Sequence, residues 1–124
     1  MPASYLNARM RSIGNALRGL GLLIRTQPNA RIHLAATAAV CAAGAWFGLS
    51  AIEWCLIAVA VFCVWMAEAF NTALESLVDL ASPELHPLAA RAKDAAAGAV
   101  LVAAIGALVI GVIIFAPRLW AMLF

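Results

Sequence analysis

Three long apolar segments constrain this chain more than any other feature of its sequence. They cover about residues 32–49, 51–67 and 94–116, and few polar side chains interrupt them. A helix of about 20 apolar residues is long enough to cross the hydrocarbon of a bilayer. The chain is 66% hydrophobic and only 11% charged, whereas a soluble domain is apolar to about one half. The sequence therefore predicts an all-α membrane protein with three transmembrane helices.

Prolines and turn residues divide the chain further. Pro83 and Pro87 interrupt the helical pattern, and Pro117 is expected to end the last helix, because an internal proline lacks the N–H that a helix needs. We predict a single membrane domain over residues 1–124. Its expected parts are a surface helix over 4–26, a first transmembrane helix over 30–49, a second over 51–81, a cytoplasmic loop over 82–88 and a third transmembrane helix over 89–116.

The amino-terminal segment has a different pattern from the three spans. Its apolar side chains recur at helical spacing on one narrow face, at Leu6, Met10, Ile13, Leu17, Leu20 and Ile24. This predicts an amphipathic helix that lies in the membrane surface. A signal peptide is the competing interpretation, but Arg18 and three glycines interrupt the apolar core that a signal peptide requires.

Positive charges are distributed unequally between the two ends of the predicted spans. Of the eight Lys and Arg residues, only Arg118 follows the third span, and the others precede the first span or lie between the second and the third. Cytoplasmic segments of membrane proteins are enriched in Lys and Arg. We therefore expect the amino terminus and the 82–88 loop in the cytoplasm.

Acidic residues are concentrated in one stretch, because five of the six lie within residues 68–94. Four polar side chains of this stretch follow one another at spacings of three and four residues, which places them on one helix face: Glu68, Asn71, Glu75 and Asp79. Carboxylates at the edge of the hydrocarbon are costly unless they are paired with cations or bind metals. This acidic stripe is therefore a candidate functional site.

The residue types in the stripe suit a metal-bound nucleotide. Carboxylate oxygens favour Mg²⁺, which proteins often hold with one or two carboxylates together with substrate phosphates. Lys93 follows the loop and would add a positive charge for those phosphates. Glu68 lies about 10 Å from Glu75 along the helix, nearer the apolar segment, where it could accept a proton from the hydroxyl of a lipid alcohol.

Two other functions stay open on the residues alone. The stripe could simply hold helices together in a non-catalytic oligomer, through ion pairs such as Glu75 or Asp79 with Arg91 or Lys93. It could also carry protons or cations in a small carrier. We interpret His33, near a helix start, as an interface anchor rather than a ligand, and His86 in the loop in the same way.

Residues 68–94, EAFNTALESLVDLASPELHPLAARAKD, also carry a family resemblance. The segment follows the pattern E-x-x-N-T-A-I/L-E-x-x-V-D, then S-P-E-x-H and A-K-D. With NALRGL and NARIH upstream, the chain resembles the bacterial diacylglycerol kinase and undecaprenol kinase family of small membrane lipid kinases over most of residues 12–114. The resemblance implies a homotrimer in the bacterial inner membrane, with three spanning helices and one surface helix per chain and with active sites shared between subunits.

The resemblance also implies an activity, which is Mg²⁺-dependent transfer of the γ-phosphoryl group of ATP to a lipid alcohol such as diacylglycerol or undecaprenol. No nucleic-acid partner is expected. Glu68 matches the general base and Asn71 its neighbour in the site. Glu75 matches a metal ligand. The positions that match the nucleotide side of the site are Asn15, Arg18, Gln27, Glu75, Asp79, Glu84, His86, Lys93 and Asp94.

One position departs from the family pattern. Two residues before the asparagine of N-x-R-I-H the family usually has a glutamate that acts as a second metal ligand, whereas this chain has Gln27. An amide still offers one oxygen, but the loss of a carboxylate weakens a Mg²⁺ site. Either the residue was introduced to slow turnover, or it is a natural change in metal use or activity. In both cases we predict reduced kinase activity for this sequence.

Overall fold

The computed structural model describes residues 3–124, which form four helices joined by short connections. The helices are α1 (Ala3–Thr26), α2 (Pro28–Phe47), α3 (Ala51–Ala81) and α4 (Pro87–Leu123). By length and composition, α2, α3 and α4 could each cross a membrane. The predicted all-α architecture with three candidate spans is therefore confirmed.

α1 and α2 meet at Gln27, whose backbone is extended (φ −102°, ψ 116°). Pro28 opens α2, where its missing N–H removes no helical hydrogen bond. The guanidinium of Arg31 donates hydrogen bonds to the carbonyls of Ile24 at 3.1 Å and Arg25 at 2.6 Å. The last carbonyls of a helix have no N–H partner of their own. Arg31 therefore ties the end of α1 to α2.

The connection between α2 and α3, residues 48–50, defines one end of the molecule, which we call the turn end. Gly48 has a left-handed backbone (φ 63°), a conformation that favours glycine, and its N–H bonds the carbonyl of Gly44. Ser50 and Glu53 then form a capping box: the Ser50 hydroxyl accepts from the Glu53 N–H, and the Glu53 carboxylate accepts from the Ser50 N–H. The tight turn folds α3 back beside α2.

The connection between α3 and α4, residues 82–86, defines the opposite end, which we call the loop end. Pro83 follows the end of α3, where a proline cannot continue a helix. His86 caps α4, because its Nδ1 accepts a hydrogen bond from the Leu88 N–H at 3.1 Å. Pro87 occupies the first turn of α4, the position at which a helix tolerates proline.

α3 and α4 form the most extensive helix pair and run antiparallel. An ion pair joins them at each end, between Glu53 and Arg118 at the turn end and between Asp79 and Lys93 at the loop end. Nearly equal lengths of helix separate the paired positions on α3 and on α4. The two helices therefore keep the same register along the whole pair.

α4 passes through Pro117, so the prediction that the helix ends there is wrong. A proline inside a helix removes the N–H that would bond the carbonyl four residues earlier, here that of Ile113, and membrane helices tolerate such a loss. Arg118 donates from Nη1 to the next carbonyl, that of Ile114, at 2.7 Å, while its Nη2 binds Glu53. α4 continues through the proline to Leu123.

α1 contacts α2 and α3, but most of its side chains are exposed. Leu23 is buried, whereas Leu6, Met10 and Leu17 are each more than half exposed. The predicted helix over residues 4–26 is therefore present as α1. Its location in the membrane surface stays a prediction.

Candidate functional site

α2, α3 and α4 surround a cavity of about 280 Å³ near the loop end. α4 contributes apolar side chains to its lining, and α2 and α3 contribute the polar ones: Asn29, His33, Glu68, Asn71 and Glu75. The spacings of three and four residues on α3 place its three polar side chains on one face. The cavity therefore brings together the first three members of the acidic stripe.

Glu68 is 1% exposed. Its Oε2 atom has no hydrogen-bond partner among the described residues. The imidazole of His33 faces it, with Nε2 3.8 Å from Oε2, which is too long for a hydrogen bond. That Nε2 also lacks a partner within residues 3–124. Each unsatisfied buried polar group costs about 1–3 kcal/mol of folding stability. A ligand that forms hydrogen bonds with both atoms would remove this cost.

Asn71 and Glu75 form the second part of the cavity. Asn71 donates from Nδ2 to Glu75 Oε1 at 3.3 Å, and its own Oδ1 is buried without a partner in the described chain. Oxygen ligands of this kind suit Mg²⁺. Among residues 3–124, no three His, Cys, Asp or Glu side chains are grouped to hold a metal ion. The oxygens of Asn71 and Glu75 instead fit a Mg²⁺ ion that is bound by one or two protein oxygens together with substrate phosphates and water.

Asp79 and Lys93 lie nearer the loop end and do not line the cavity. Lys93 Nζ is 2.8 Å from Asp79 Oδ1, and the two side chains are 38% and 65% exposed. For this pair the structure contains the cross-helix ion pair that a purely structural role of the stripe predicts. Exposed ion pairs contribute little to stability, so Lys93 could exchange Asp79 for a phosphate at low cost.

Three predicted nucleotide contacts lie on α1 or at its junction with α2, outside the cavity lining. Arg18 is hydrogen-bonded to Asn15, and both are exposed. Gln27 is partly exposed. Its backbone N–H bonds the Leu23 carbonyl, and its side chain does not cap α2. Gln27 precedes by two residues Asn29, which lines the cavity.

The last three predicted contacts, Glu84, His86 and Asp94, are exposed in the loop or in the first turns of α4. The Glu84 carbonyl accepts a hydrogen bond from Ser82 Oγ at 3.0 Å, and His86 caps α4. The cavity lining contains none of the three. In this chain the predicted site residues are therefore divided among an open cavity, α1 with its junction to α2, and an exposed loop end.

His33 is the residue whose place in the cavity the sequence interpretation missed. A second contact fixes α2 beside α3 next to it: Trp65 donates from Nε1 to Thr37 Oγ1 at 3.1 Å, and Thr37 Oγ1 donates to the His33 carbonyl at 2.7 Å. The one signal in the sequence was a titratable side chain within an apolar segment. The periodicity of α2 alone does not indicate which side chain of α3 it meets.

An apolar groove of about 580 Å³ adjoins the cavity between α2 and α4. Ile32, His33 and Ala104 line both spaces. The groove continues towards the turn end as far as Phe115 and Leu119. His33 therefore lies where a polar cavity meets an apolar surface.

Comparisons with known proteins agree with the resemblance seen in the sequence. Residues 14–115 match the family described as Prokaryotic diacylglycerol kinase. The chain is 44% identical over 114 residues to an undecaprenol kinase of Bacillus subtilis, which covers 92% of this chain and 93% of that protein. It is 41% identical over 109 residues to a diacylglycerol kinase of Synechocystis sp., covering 87% and 62%. It is 36% identical over 76 residues to a diacylglycerol kinase of Escherichia coli, covering 61% and 59%. The matches to the last two thus span less than two thirds of their length.

Proposed function

Because this chain belongs to the prokaryotic diacylglycerol kinase family and is a membrane lipid kinase, we propose that it transfers the γ-phosphoryl group of ATP to the hydroxyl of a lipid alcohol. The acceptor is undecaprenol or diacylglycerol, and the reaction depends on Mg²⁺. One observation carries the proposal. The Glu68 carboxylate is buried, with an unsatisfied Oε2, in a cavity that also contains Asn71 and Glu75.

In the proposed reaction Glu68 is the general base. The acceptor oxygen attacks the γ-phosphorus while its proton passes to Glu68, and the bond from that phosphorus to the bridging oxygen of ADP breaks. A positioned base of this kind contributes about 10²–10⁴-fold to a rate. Asn71 supports the site by its hydrogen bond to Glu75, and burial keeps water from competing with the lipid hydroxyl.

Glu75 and Gln27 are the proposed metal ligands. When bound, Mg²⁺ neutralises charge on the phosphates. Glu75 lies one helical turn from Asn71, which donates from Nδ2 to Glu75 Oε1, and this contact supports a site at this level of α3. Gln27 would add one neutral oxygen, so the metal site would be weaker than one with two carboxylates.

The proposed nucleotide site lies at the loop end. Lys93, which is held in an exposed pair with Asp79, would bind the phosphates, and Asp94 follows it in the proposed nucleotide site. The residues expected to border the nucleotide are Asn15, Arg18, Glu84 and His86. None of them lines the cavity, so one chain does not bring all the proposed site residues together. We propose that neighbouring subunits of a homotrimer share each active centre.

We further propose that the protein resides in the bacterial inner membrane with its amino terminus and its loop end in the cytoplasm. The clustering of Lys and Arg near the loop end supports this orientation. α1 would lie in the membrane surface, and its exposed Leu6, Met10 and Leu17 would contact lipid. ATP would then approach from the water and the alcohol from the bilayer.

The first acceptor to test is undecaprenol. The Bacillus subtilis relative is named an undecaprenol kinase, and its similarity extends over nearly its whole length. The named diacylglycerol kinases are less similar over shorter parts of their chains. Diacylglycerol is therefore the second acceptor of the panel.

The decisive experiment compares two carboxylates of α3. The purified full chain, in mixed micelles with Mg²⁺ and radiolabelled ATP, is offered undecaprenol or diacylglycerol. Glu68→Gln should lower kcat by at least about 100-fold, while light scattering shows the same oligomer as the unsubstituted protein. Glu53→Gln is the matched control, since Glu53 lies at the turn end, and it should retain activity. Full transfer by Glu68→Gln would refute the proposed mechanism.

The ion pair between Asp79 and Lys93 gives part of the stripe a structural role. It joins two helices of one chain and does not bear on the assembly of an oligomer. The light-scattering measurement separates a loss of transfer in Glu68→Gln from a loss of the oligomer.

A further inference from the structure

Two buried polar atoms face each other in the cavity without forming a bond. His33 Nε2 and Glu68 Oε2 are 3.8 Å apart, and the side chains are 16% and 1% exposed. Neither atom has a hydrogen-bond partner within residues 3–124. Since buried polar groups are almost always satisfied, a pair of this kind calls for an explanation.

A single oxygen atom fits beside this gap. An oxygen at about 2.8 Å from each atom is at hydrogen-bond distance from both. A hydroxyl group satisfies both atoms at once, because its O–H donates to the carboxylate and its oxygen accepts from an Nε2–H. The cavity of about 280 Å³ has room for such a group.

The surroundings of His33 favour an alcohol with an apolar tail. Besides Glu68, the titratable side chain that lines this cavity is Glu75, and α4 presents only apolar residues to it. His33 also lines the apolar groove that continues towards Leu119. A molecule with its hydroxyl between His33 and Glu68 would therefore find apolar surface for its tail immediately beside the polar cavity.

The backbone of His33 is linked to α3 by a contact one helical turn away. Thr37 Oγ1 donates to the His33 carbonyl at 2.7 Å and accepts from Trp65 Nε1 at 3.1 Å. This link fixes the distance between α2 and α3 beside the cavity. The spacing between His33 and Glu68 is thus set by the packing of two helices rather than by a bond between the two side chains.

We propose that His33 binds the acceptor alcohol, an inference that rests on the proposed function. Nε2–H donates to the acceptor oxygen and holds it next to Glu68. The oxygen then uses its other lone pair to form the bond to the γ-phosphorus, its proton moves to Glu68 Oε2, and ADP leaves. The proton on His33 stays there throughout, so the role of His33 is to orient the acceptor.

The test compares His33→Leu, which removes the donor, with His33→Gln, which keeps an N–H at a similar reach. In the mixed-micelle assay with undecaprenol, His33→Leu should raise the acceptor KM by about 10-fold or more and leave the KM for ATP unchanged. His33→Gln should restore most of the loss. Thr37→Val keeps the imidazole and loosens the α2–α3 link, so it should raise the acceptor KM less than His33→Leu does.

The outcomes are distinct. Unchanged acceptor kinetics in His33→Leu, an equal rise in both KM values, or no recovery in His33→Gln would each overturn the role of His33. A second measurement, retention of radiolabelled undecaprenol by the protein in ATP-free micelles, separates this inference from the kinase proposal. If the unsubstituted protein binds undecaprenol without transferring phosphate and His33→Leu does not bind it, the kinase proposal fails and the role of His33 holds. If the unsubstituted protein neither binds nor transfers, both fail.

Discussion

Two carboxylates of α3, those of Glu53 and Glu68, differ in whether the protein satisfies them. Glu53, at the turn end, accepts hydrogen bonds from the backbone and hydroxyl of Ser50 and from Arg118. Glu68 is far more buried, and its Oε2 binds nothing among the described residues. A carboxylate that stabilises a fold has its partners within the protein. One that serves chemistry leaves positions open for a ligand, and the two ends of the molecule differ in this way.

This comparison separates stability from activity along the same helix pair. Changes at the turn end should lower stability and spare phosphoryl transfer. Substitutions at the loop end should lower phosphoryl transfer and leave stability nearly unchanged. A turn-end substitution that lowers phosphoryl transfer, or a loop-end substitution that lowers stability, would contradict this separation.

The largest effect is expected at the loop end from Lys93→Met. If Lys93 binds the phosphates, the loss of its charge should lower kcat/KM for ATP by about 100-fold. The thermal midpoint should change little, because the pair with Asp79 is exposed. ATP-dependence curves and circular dichroism in detergent measure the two quantities. Asp79→Asn removes only the partner and is the control, and equal kinetics for Lys93→Met and the unsubstituted chain would leave Lys93 with a structural role alone.

An effect of intermediate size is expected at the turn end from Gly44→Ala. A Cβ atom at this position would lie 2.7 Å from Trp54 Cη2 and 3.0 Å from Leu49 Cδ1. Overpacking of this kind costs about 1–3 kcal/mol, which thermal unfolding in detergent can measure. Gly106→Ala is the matched control, since a Cβ there meets nothing within 4 Å. Lost activity in folded Gly44→Ala would contradict the separation of the two ends.

The smallest effect is expected from Gln27→Glu at the junction of α1 and α2. A second carboxylate should strengthen Mg²⁺ binding and raise the rate by about 10-fold at limiting metal, which corresponds to about 1.4 kcal/mol. Initial rates over a Mg²⁺ titration measure this change, with Gln27→Ala as the control for loss of the amide. Identical metal dependence in Gln27→Glu would remove this position from the metal site.

Much of the fold follows from the sequence because bilayer-spanning helices depend on local composition. The apolar segments predict α2, α3 and α4, and the period of the stripe predicts that Glu68, Asn71 and Glu75 share a face. The end of α4 was predicted wrongly at Pro117. Beyond the proline, Arg118 contacts Glu53, which joins residues distant in sequence. Local rules for proline do not include such tertiary contacts.

The site was less predictable than the fold. The position of His33 opposite Glu68 results from the packing of α2 on α3, which neither helix's periodicity encodes. Asp79 belongs to the same helical stripe as Glu68, but it pairs with Lys93 instead of lining the cavity. The spacing of the stripe determines which face of α3 its side chains occupy. It does not determine which side chain of a neighbouring helix each of them meets.

The ion pairs at the two ends of α3 and α4 also set a length that the surrounding lipid must match. Glu53 and Asp79 lie about 39 Å apart along α3 at a rise of 1.5 Å per residue, between the thickness of the hydrocarbon core, about 30 Å, and that of the whole bilayer, about 40–45 Å. Both charged pairs would then rest among the headgroups. In a bilayer with longer acyl chains, one ion pair would lie in the hydrocarbon core. In a bilayer with shorter chains, apolar side chains would be exposed to water. The protein should thus favour membranes of intermediate thickness, independently of which alcohol they contain.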